Sequence, residues 1–186
     1  YRRGLRVLTR LVAPLTPYLG EEMWNMLRGD GLVAHADWPD PEYPVEAYDT
    51  ERSLVRNLRA DVRDIFDVAN IDDAEEIEVV VAPDWKYRAY DIARAAEEGD
   101  ALVGEIMTDD EIQSHGSAAQ SYAEELDERR QQLEPTLSRD EEYDLLSRAA
   151  WLLRDEFDAE VTVRRAAGDE DRASKARPGK PAVHIS

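Results

Sequence analysis

Cysteine is absent from this sequence of 186 residues. Without cysteine, the chain can form no disulfide, no cysteine-ligated zinc site and no thiol nucleophile. Its apolar runs extend over only a few residues, so the sequence predicts no membrane span, and no secretory signal opens it. We therefore expect a cytoplasmic protein with no membrane partner.

Basic charge is scarce as well. The 23 Lys+Arg residues stand against 42 Asp+Glu residues, and the formal net charge is −19. This excludes a generally basic nucleic-acid-binding domain, although not a local basic surface. Only Lys86, Lys175 and Lys180 are lysines. A cytosol rich in salt screens the repulsion between the excess negative charges, and an acidic chain with few lysines suits such a cytosol. We therefore interpret the chain as halophilic. The alternative is an ordinary acidic protein.

Helical periodicity dominates the first part of the chain. Apolar residues recur at helical spacing before Pro14, from Thr16 to Leu27 and from Thr50 to Ala69. The pattern changes at Asn70–Asp73, where we place a domain boundary. Because the chain starts without Met inside a helical pattern, we expect a fragment whose residues 1–70 form the end of a helical bundle.

The second part, residues 71–186, mixes strands and helices. A β-branched run at 75–82 predicts a first strand, and EVTVRR (160–165) and PAVHIS (181–186) predict two more. Helices are predicted at 84–98, 100–107, 117–133 and 140–157. The predicted fold class is mostly α with a small α+β domain, in which a helical-bundle segment precedes a β-ααα(α)-β-β domain.

No catalytic constellation is present in the sequence. The three histidines are isolated, and no glycine-rich phosphate loop occurs. Carboxylate clusters such as residues 109–111 and 140–142 are typical of a solvated face. We therefore predict no catalytic residue, no metal site and no cofactor site within these residues.

Four arginines form the first candidate binding feature. At about 100° per residue they fall within about 60° on one side of the third predicted helix, over about 16 Å. Guanidinium groups at this spacing can bind successive phosphates bidentately. The alternative, equally open on physical grounds, is that they pair with the abundant carboxylates. This arginine ladder consists of Arg52, Arg56, Arg59 and Arg63.

The second candidate feature is the basic segment, residues 172–186, which holds four basic residues and no acidic one. Its Lys175, Arg177 and Lys180 are interspersed with proline and glycine. This pattern indicates a rigid basic loop, and the alternative is a poorly ordered linker before the last strand. Residues 97–144 contrast with it, because they hold 16 acids and 3 bases.

Two stretches of sequence carry a family resemblance. LVAPLTPYLGEEMW (11–24) resembles a signature of the anticodon-binding helical domain in class I aminoacyl-tRNA synthetases of the leucine/isoleucine/valine group, and Trp38–Pro39 is similar to a downstream W-P in these enzymes. EIEVVVAPDWKYRAYDIA (76–93) resembles the start of the C-terminal domain of archaeal-type leucyl-tRNA synthetases. KARPGKPAVHIS (175–186) resembles its last strand.

The resemblance implies a tRNA-binding module that lacks the H-I-G-H and K-M-S-K-S motifs, so that ATP binds elsewhere in the parent enzyme. It implies as partners tRNA(Leu), at its elbow and long variable arm, and the rest of the synthetase. We accordingly predict that the arginine ladder and Lys175, Arg177 and Lys180 contact tRNA. The alternatives are the same region of an isoleucyl or valyl enzyme, and an acidic protein-interaction module without an RNA role.

Overall fold

The computed structural model describes residues 1–40, 48–97, 101–167 and 170–186. It divides the chain into two units, Tyr1–Ala47 and Tyr48–Ser186. No helix in these described ranges is both long and apolar enough to cross a membrane.

The first unit is a pair of helices with a small core. Helix α1 (Arg2–Val12) and helix α2 (Pro17–Met26) precede a 3-10 turn at Val33–His35. Proline is favourable at the first position of α2, since the N–H that it lacks has no partner there. The buried Trp24 ring of α2 packs in the core of this unit.

Two arginines of α1 complete the end of α2. Arg2 and Arg6 donate to the Leu27 carbonyl at 3.3 and 3.0 Å, and Arg6 also donates to the Arg28 carbonyl at 2.8 Å. Positive charge beside the last carbonyls of a helix is favourable. Other parts of the unit leave apolar side chains exposed, among them Leu15 and Tyr18.

Helix α3 (Asp49–Ala69) belongs to the second unit. Its Leu54, Leu58 and Val62 are buried in the same core as the sheet and the long helix α8 (Arg139–Phe157). The division between the units therefore lies before α3, whereas the sequence analysis placed the boundary at Asn70–Asp73. The physical reason is that the apolar stripe assigned to a helical bundle is covered by the sheet domain instead.

A three-stranded sheet forms the centre of the second unit. Strand β1 (Glu76–Val81) lies between β2 (Glu160–Arg165) and β3 (Ala182–Ile185). β1 and β2 are parallel, with Ile77 opposite Val161, and β3 is antiparallel to β1, with Val79 opposite Val183. The helices between β1 and β2 are α4 (Asp84–Ala95), α5 (Leu102–Ile106), α6 (Asp110–Gln113), α7 (Gly116–Glu128) and α8.

This architecture confirms the predicted fold class of mostly α structure with a small α+β domain. The short helix α6 is an addition to the predicted order. Its first turn is stabilised by Asp109, whose carboxylate accepts the backbone N–H groups of Glu111 and Ile112. A second core, around Trp85 and Ile112, holds α4 to α7 together.

Local signals set the limits of the two long helices. Helix α8 begins at a capping box, in which Ser138 and Glu141 satisfy each other's backbone N–H groups. The residues that follow the two helices, Asp158 after α8 and Asn70 after α3, both have a left-handed backbone conformation. Asparagine and aspartate tolerate that conformation better than most residues.

Candidate nucleic-acid interface

The arginine ladder lies on the flank of α3 that faces α8. Three of its members line an open groove of about 500 Å³, together with Tyr48 and Leu145. Arg52 pairs with Asp49 at 3.6 Å, and the Arg56 guanidinium lies 3.4 Å from the Ser53 hydroxyl. Both arginines are exposed, and each of these contacts involves only one nitrogen of the guanidinium group. They can therefore bind an incoming anion.

The other half of the ladder shares one carboxylate of α8, although Arg63 stays exposed. Arg59 donates to Glu156 of α8 at 2.6 and 2.7 Å, and Arg63 donates to the second oxygen of the same carboxylate. Partial burial raises the pKa of Glu156, but the two guanidinium groups outweigh this and hold it below its usual value. Pairing with carboxylates, the alternative left open by the sequence, thus holds for Arg59 and Arg63.

The basic segment is an ordered loop followed by strand β3. Its first residues belong to a 3-10 turn, Asp171–Ala173, and a reverse turn follows from Arg177 to Lys180. The amide of Lys180 donates to the carbonyl of Arg177 at 2.9 Å across Pro178 and Gly179. Gly179 has φ +73°, and proline followed by such a glycine is the signature of a type II turn.

A buried lysine holds the first half of this loop. Lys86 of α4 is 5% exposed, and its ammonium donates to the carbonyls of Ala173, Ser174 and Ala176 at 3.3, 3.0 and 2.8 Å. The same ammonium lies 5.5 Å from the Trp85 ring. The loop is therefore fixed to the domain. This agrees with the rigid basic loop that the sequence pattern indicates, and not with a poorly ordered linker.

Arg177 is partly buried and bonds to other groups of the protein. Its guanidinium donates to the Glu125 carboxylate of α7 at 2.6 and 2.9 Å and to the Ser174 carbonyl at 2.8 Å. It also lies 5.0 Å from the Tyr122 ring. Its contact with tRNA stays a prediction, but these bonds give it a role in holding the loop.

Two lysines of the loop point outward. Lys175 is exposed, and its side chain forms no hydrogen bond or ion pair among the described residues. Lys180 lies 3.9 Å from Asp61 of α3. Both line a groove of about 560 Å³ between the loop and the Asp61 flank of α3. Arg172 is exposed in the same groove but pairs with Glu78 at 2.6 Å, so the two lysines are the more available cations of the basic segment.

The two basic features lie on different flanks of α3. At 100° per residue, Asp61 projects roughly 170° from the mean direction of the ladder. The basic segment packs beside Asp61 and Asp64, and the ladder faces α8. The structure therefore brings Arg59 together with Arg63, and Lys175 together with Lys180, but it does not bring the ladder and the segment together.

A buried carboxylate holds the reverse turn from below. Glu142 of α8 is fully buried, and its Oε2 accepts the Gly179 N–H at 2.8 Å. Its Oε1 and the nearby hydroxyl of Tyr87 are buried without a hydrogen-bond partner among the described residues. Burial raises the pKa of Glu142 to about 7, although the Gly179 N–H and Tyr87 oppose this. Burial, with the Glu142 carboxylate second, likewise raises the pKa of Tyr87.

Sequence reasoning missed Lys86, Glu142 and Glu156 as determinants of this surface. A signal existed for Glu142, because it shares the helical stripe of Leu146, Ala150 and Leu153, where a carboxylate has to be buried. No local signal identifies Glu156, since its partners are 93 and 97 positions away. Two of the histidines make structural contacts: His115 stacks on Trp85 at 4.9 Å, and the His184 Nε2 lies 2.6 Å from the Arg172 carbonyl oxygen.

Comparison with known proteins gives this surface a context. Residues 1–81 match the family model described as the anticodon-binding domain of tRNA ligase. Over 98% of its length the chain is 42% identical to a leucine–tRNA ligase of Halobacterium salinarum, of which it covers 21%. Over 99% of its length it is 31% identical to the leucine–tRNA ligase of Pyrococcus abyssi, of which it covers 19%.

The chain is similar to archaeal leucine–tRNA ligases along nearly its whole length. It spans about a fifth of the length of the curated ligases that it matches. The resemblance carried by residues 11–24, 76–93 and 175–186 is thereby confirmed. The similarity to a ligase from a halophile also agrees with the halophilic interpretation of the acidic composition.

Proposed function

We propose that this chain is a tRNA-binding part of a leucine–tRNA ligase and performs no chemistry of its own. The observation that carries the proposal is the anticodon-binding match at residues 1–81, within a similarity to leucine–tRNA ligases that extends along nearly the whole chain. The parent enzyme would join leucine to tRNA(Leu) in the cytoplasm. Its ATP would bind in a catalytic domain outside these residues.

The ladder groove is suited to RNA backbone. Arg52 and Arg56 present exposed guanidinium groups one helical turn apart, or about 6 Å along the helix axis. This is comparable to the spacing of neighbouring phosphates, and guanidinium groups bind phosphate in a bidentate manner. Such contacts position an RNA without reading its sequence.

The loop lysines form a second contact surface. Because Lys175 and Lys180 lie on the opposite flank of α3 from the ladder, one continuous run of phosphates does not serve both. A folded RNA that presents two separate segments does. We assign the loop lysines to the elbow and the long variable arm of tRNA(Leu), and the ladder to a neighbouring stretch of backbone.

The test is tRNA binding by the chain as a function of salt. Substituting both Arg52→Gln and Arg56→Gln should reduce the slope of log K against log salt concentration by about 1 to 2 units and weaken binding to all tRNAs alike. The matched control is Arg94→Gln, which removes an exposed arginine from α4. It should leave both quantities unchanged.

Other outcomes would redirect the assignment. If the chain binds no tRNA, the proposed function fails and the alternative of an acidic protein-interaction module gains support. If it binds tRNAs with short and long variable arms equally, the isoleucyl or valyl alternative gains support. If the double substitution changes selectivity but not affinity, the arginines read bases and the backbone assignment is wrong.

A further inference from the structure

Residues 173–180 are held by ionisable side chains that reach them from two different helices. From α4, the buried ammonium of Lys86 donates to three carbonyls within four residues of the loop. From α8, the buried carboxylate of Glu142 accepts the Gly179 N–H at the reverse turn. The two contacts fix the two halves of the loop independently.

Burial of such ionisable groups is unfavourable in itself, and this makes their placement informative. An ammonium or carboxylate moved out of water loses hydration, and a well-packed apolar side chain of similar volume is often at least as stabilising. Lys86 is 5% exposed and Glu142 is 0% exposed. What these groups provide, and an apolar side chain cannot, is directional bonding between the helices and the backbone of the loop.

The outward result is a fixed pair of cations. Lys175 lies between the second and third carbonyls that Lys86 binds, and Lys180 follows Gly179 directly. Neither lysine supports the loop from inside, because both are exposed. The buried residues therefore set the backbone position of the exposed ones.

We propose that Lys86 and Glu142 are positioning residues of the RNA-binding surface. They hold residues 173–180 in one conformation, so that Lys175 and Lys180 bind RNA without first ordering the loop. Ordering of loops and side chains on binding opposes association, and a loop ordered in advance avoids that loss. The inference rests on the proposed function, because it assumes that the loop lysines meet RNA.

The test is a double-mutant cycle on tRNA affinity. Lys86→Met removes the three donors but keeps a long apolar stem. In the otherwise unchanged chain it should weaken tRNA binding about five-fold, as expected when a few loop residues must order on contact. Combined with Lys175→Gln and Lys180→Gln, it should weaken binding no further, because the groups that it positions are gone.

A purely structural role predicts a different pattern. If Lys86→Met only destabilised the domain, affinity would fall by the same factor with and without the loop lysines, and the inference would be overturned. Hydrogen exchange gives a direct check, since the backbone amides of residues 174–177, 179 and 180 should exchange faster in Lys86→Met than in the unchanged chain.

Glu142 supplies a second test that survives if Lys86→Met does not fold. Glu142→Gln keeps an oxygen that can accept the Gly179 N–H and should bind tRNA within about two-fold of the unchanged chain. Glu142→Leu has no acceptor and should lose about five-fold. Equal affinities for the two variants would refute the role of Glu142.

The outcomes also separate this inference from the proposed function. If the unchanged chain binds no tRNA, the proposed function itself fails. If it binds tRNA but Lys175→Gln and Lys180→Gln leave the affinity unchanged, only the inference fails, and RNA binding belongs to the ladder groove.

Discussion

Substituting Glu142 by glutamine should make the stability of this protein less dependent on pH. Burial raises the pKa of Glu142 from 4.5 to about 7. Between these values the folded protein keeps a proton that the unfolded chain releases, so stability is present in full below pH 4.5 and is lost as the pH rises through 7. Glutamine occupies the same volume without ionising.

The expected magnitude follows from the size of this shift. One pKa unit corresponds to about 1.4 kcal/mol, so the ionised Glu142 lowers the free energy of unfolding by up to about 3 kcal/mol above pH 8. Glutamine can still accept the Gly179 N–H that Glu142 binds at 2.8 Å. Glu142→Gln should therefore match the unchanged chain within about 1 kcal/mol at pH 5 and exceed its stability at pH 8.

Urea unfolding at several pH values from 5 to 8, at constant high KCl concentration, measures this difference. Asp144→Asn is the matched control, because it removes an exposed carboxylate from the same helix. It should leave the pH dependence as it is in the unchanged chain. The reasoning is refuted if Glu142→Gln shows the original pH dependence, or if it is the less stable protein at pH 8.

Two further predictions concern charge on the surface. Glu156→Gln should release Arg59 and Arg63 from their shared carboxylate and so strengthen tRNA binding. The slope of log K against log salt concentration should become steeper by about 1 to 2 units. An unchanged slope in a binding titration would mean that these arginines do not face RNA. Thermal unfolding should shift to higher temperature between 0.1 M and 2 M KCl, because the Debye length falls from about 10 Å to below about 3 Å and screens the net charge of −19. A melting temperature that is the same at both concentrations would contradict the halophilic interpretation.

Most of the secondary structure could be predicted because it is encoded locally. The β-branched run of β1 and the helical spacing in α3 and α8 each identify an element without reference to the rest of the chain. The packing of α3 could not be predicted in the same way. Its stripe of Leu54, Leu58 and Val62 fits a bundle or a sheet equally well, and only the folded chain decides between them.

The candidate site shows the same limit more sharply. Residue type and spacing placed all four arginines of the ladder on one helical flank. Whether a guanidinium is available depends on a carboxylate such as Glu156, which another helix brings within 2.6 Å of Arg59. Long-range pairing of this kind leaves no periodic signal. The sequence therefore identified candidate cations, but it could not show which of them are paired with carboxylates in the folded protein.

The order of the sheet has a consequence for how this unit is completed during synthesis. β1 is the central strand, yet its antiparallel neighbour β3 leaves the ribosome only after α4 to α8 and β2 have been made. Until then one side of β1 keeps unpaired N–H and C=O groups, and such an edge can pair with a strand of another molecule. A nascent chain that stalls before Ala182 therefore exposes an unpaired strand edge that can associate with other chains. This edge of β1 is covered only when β3 is released and pairs with it.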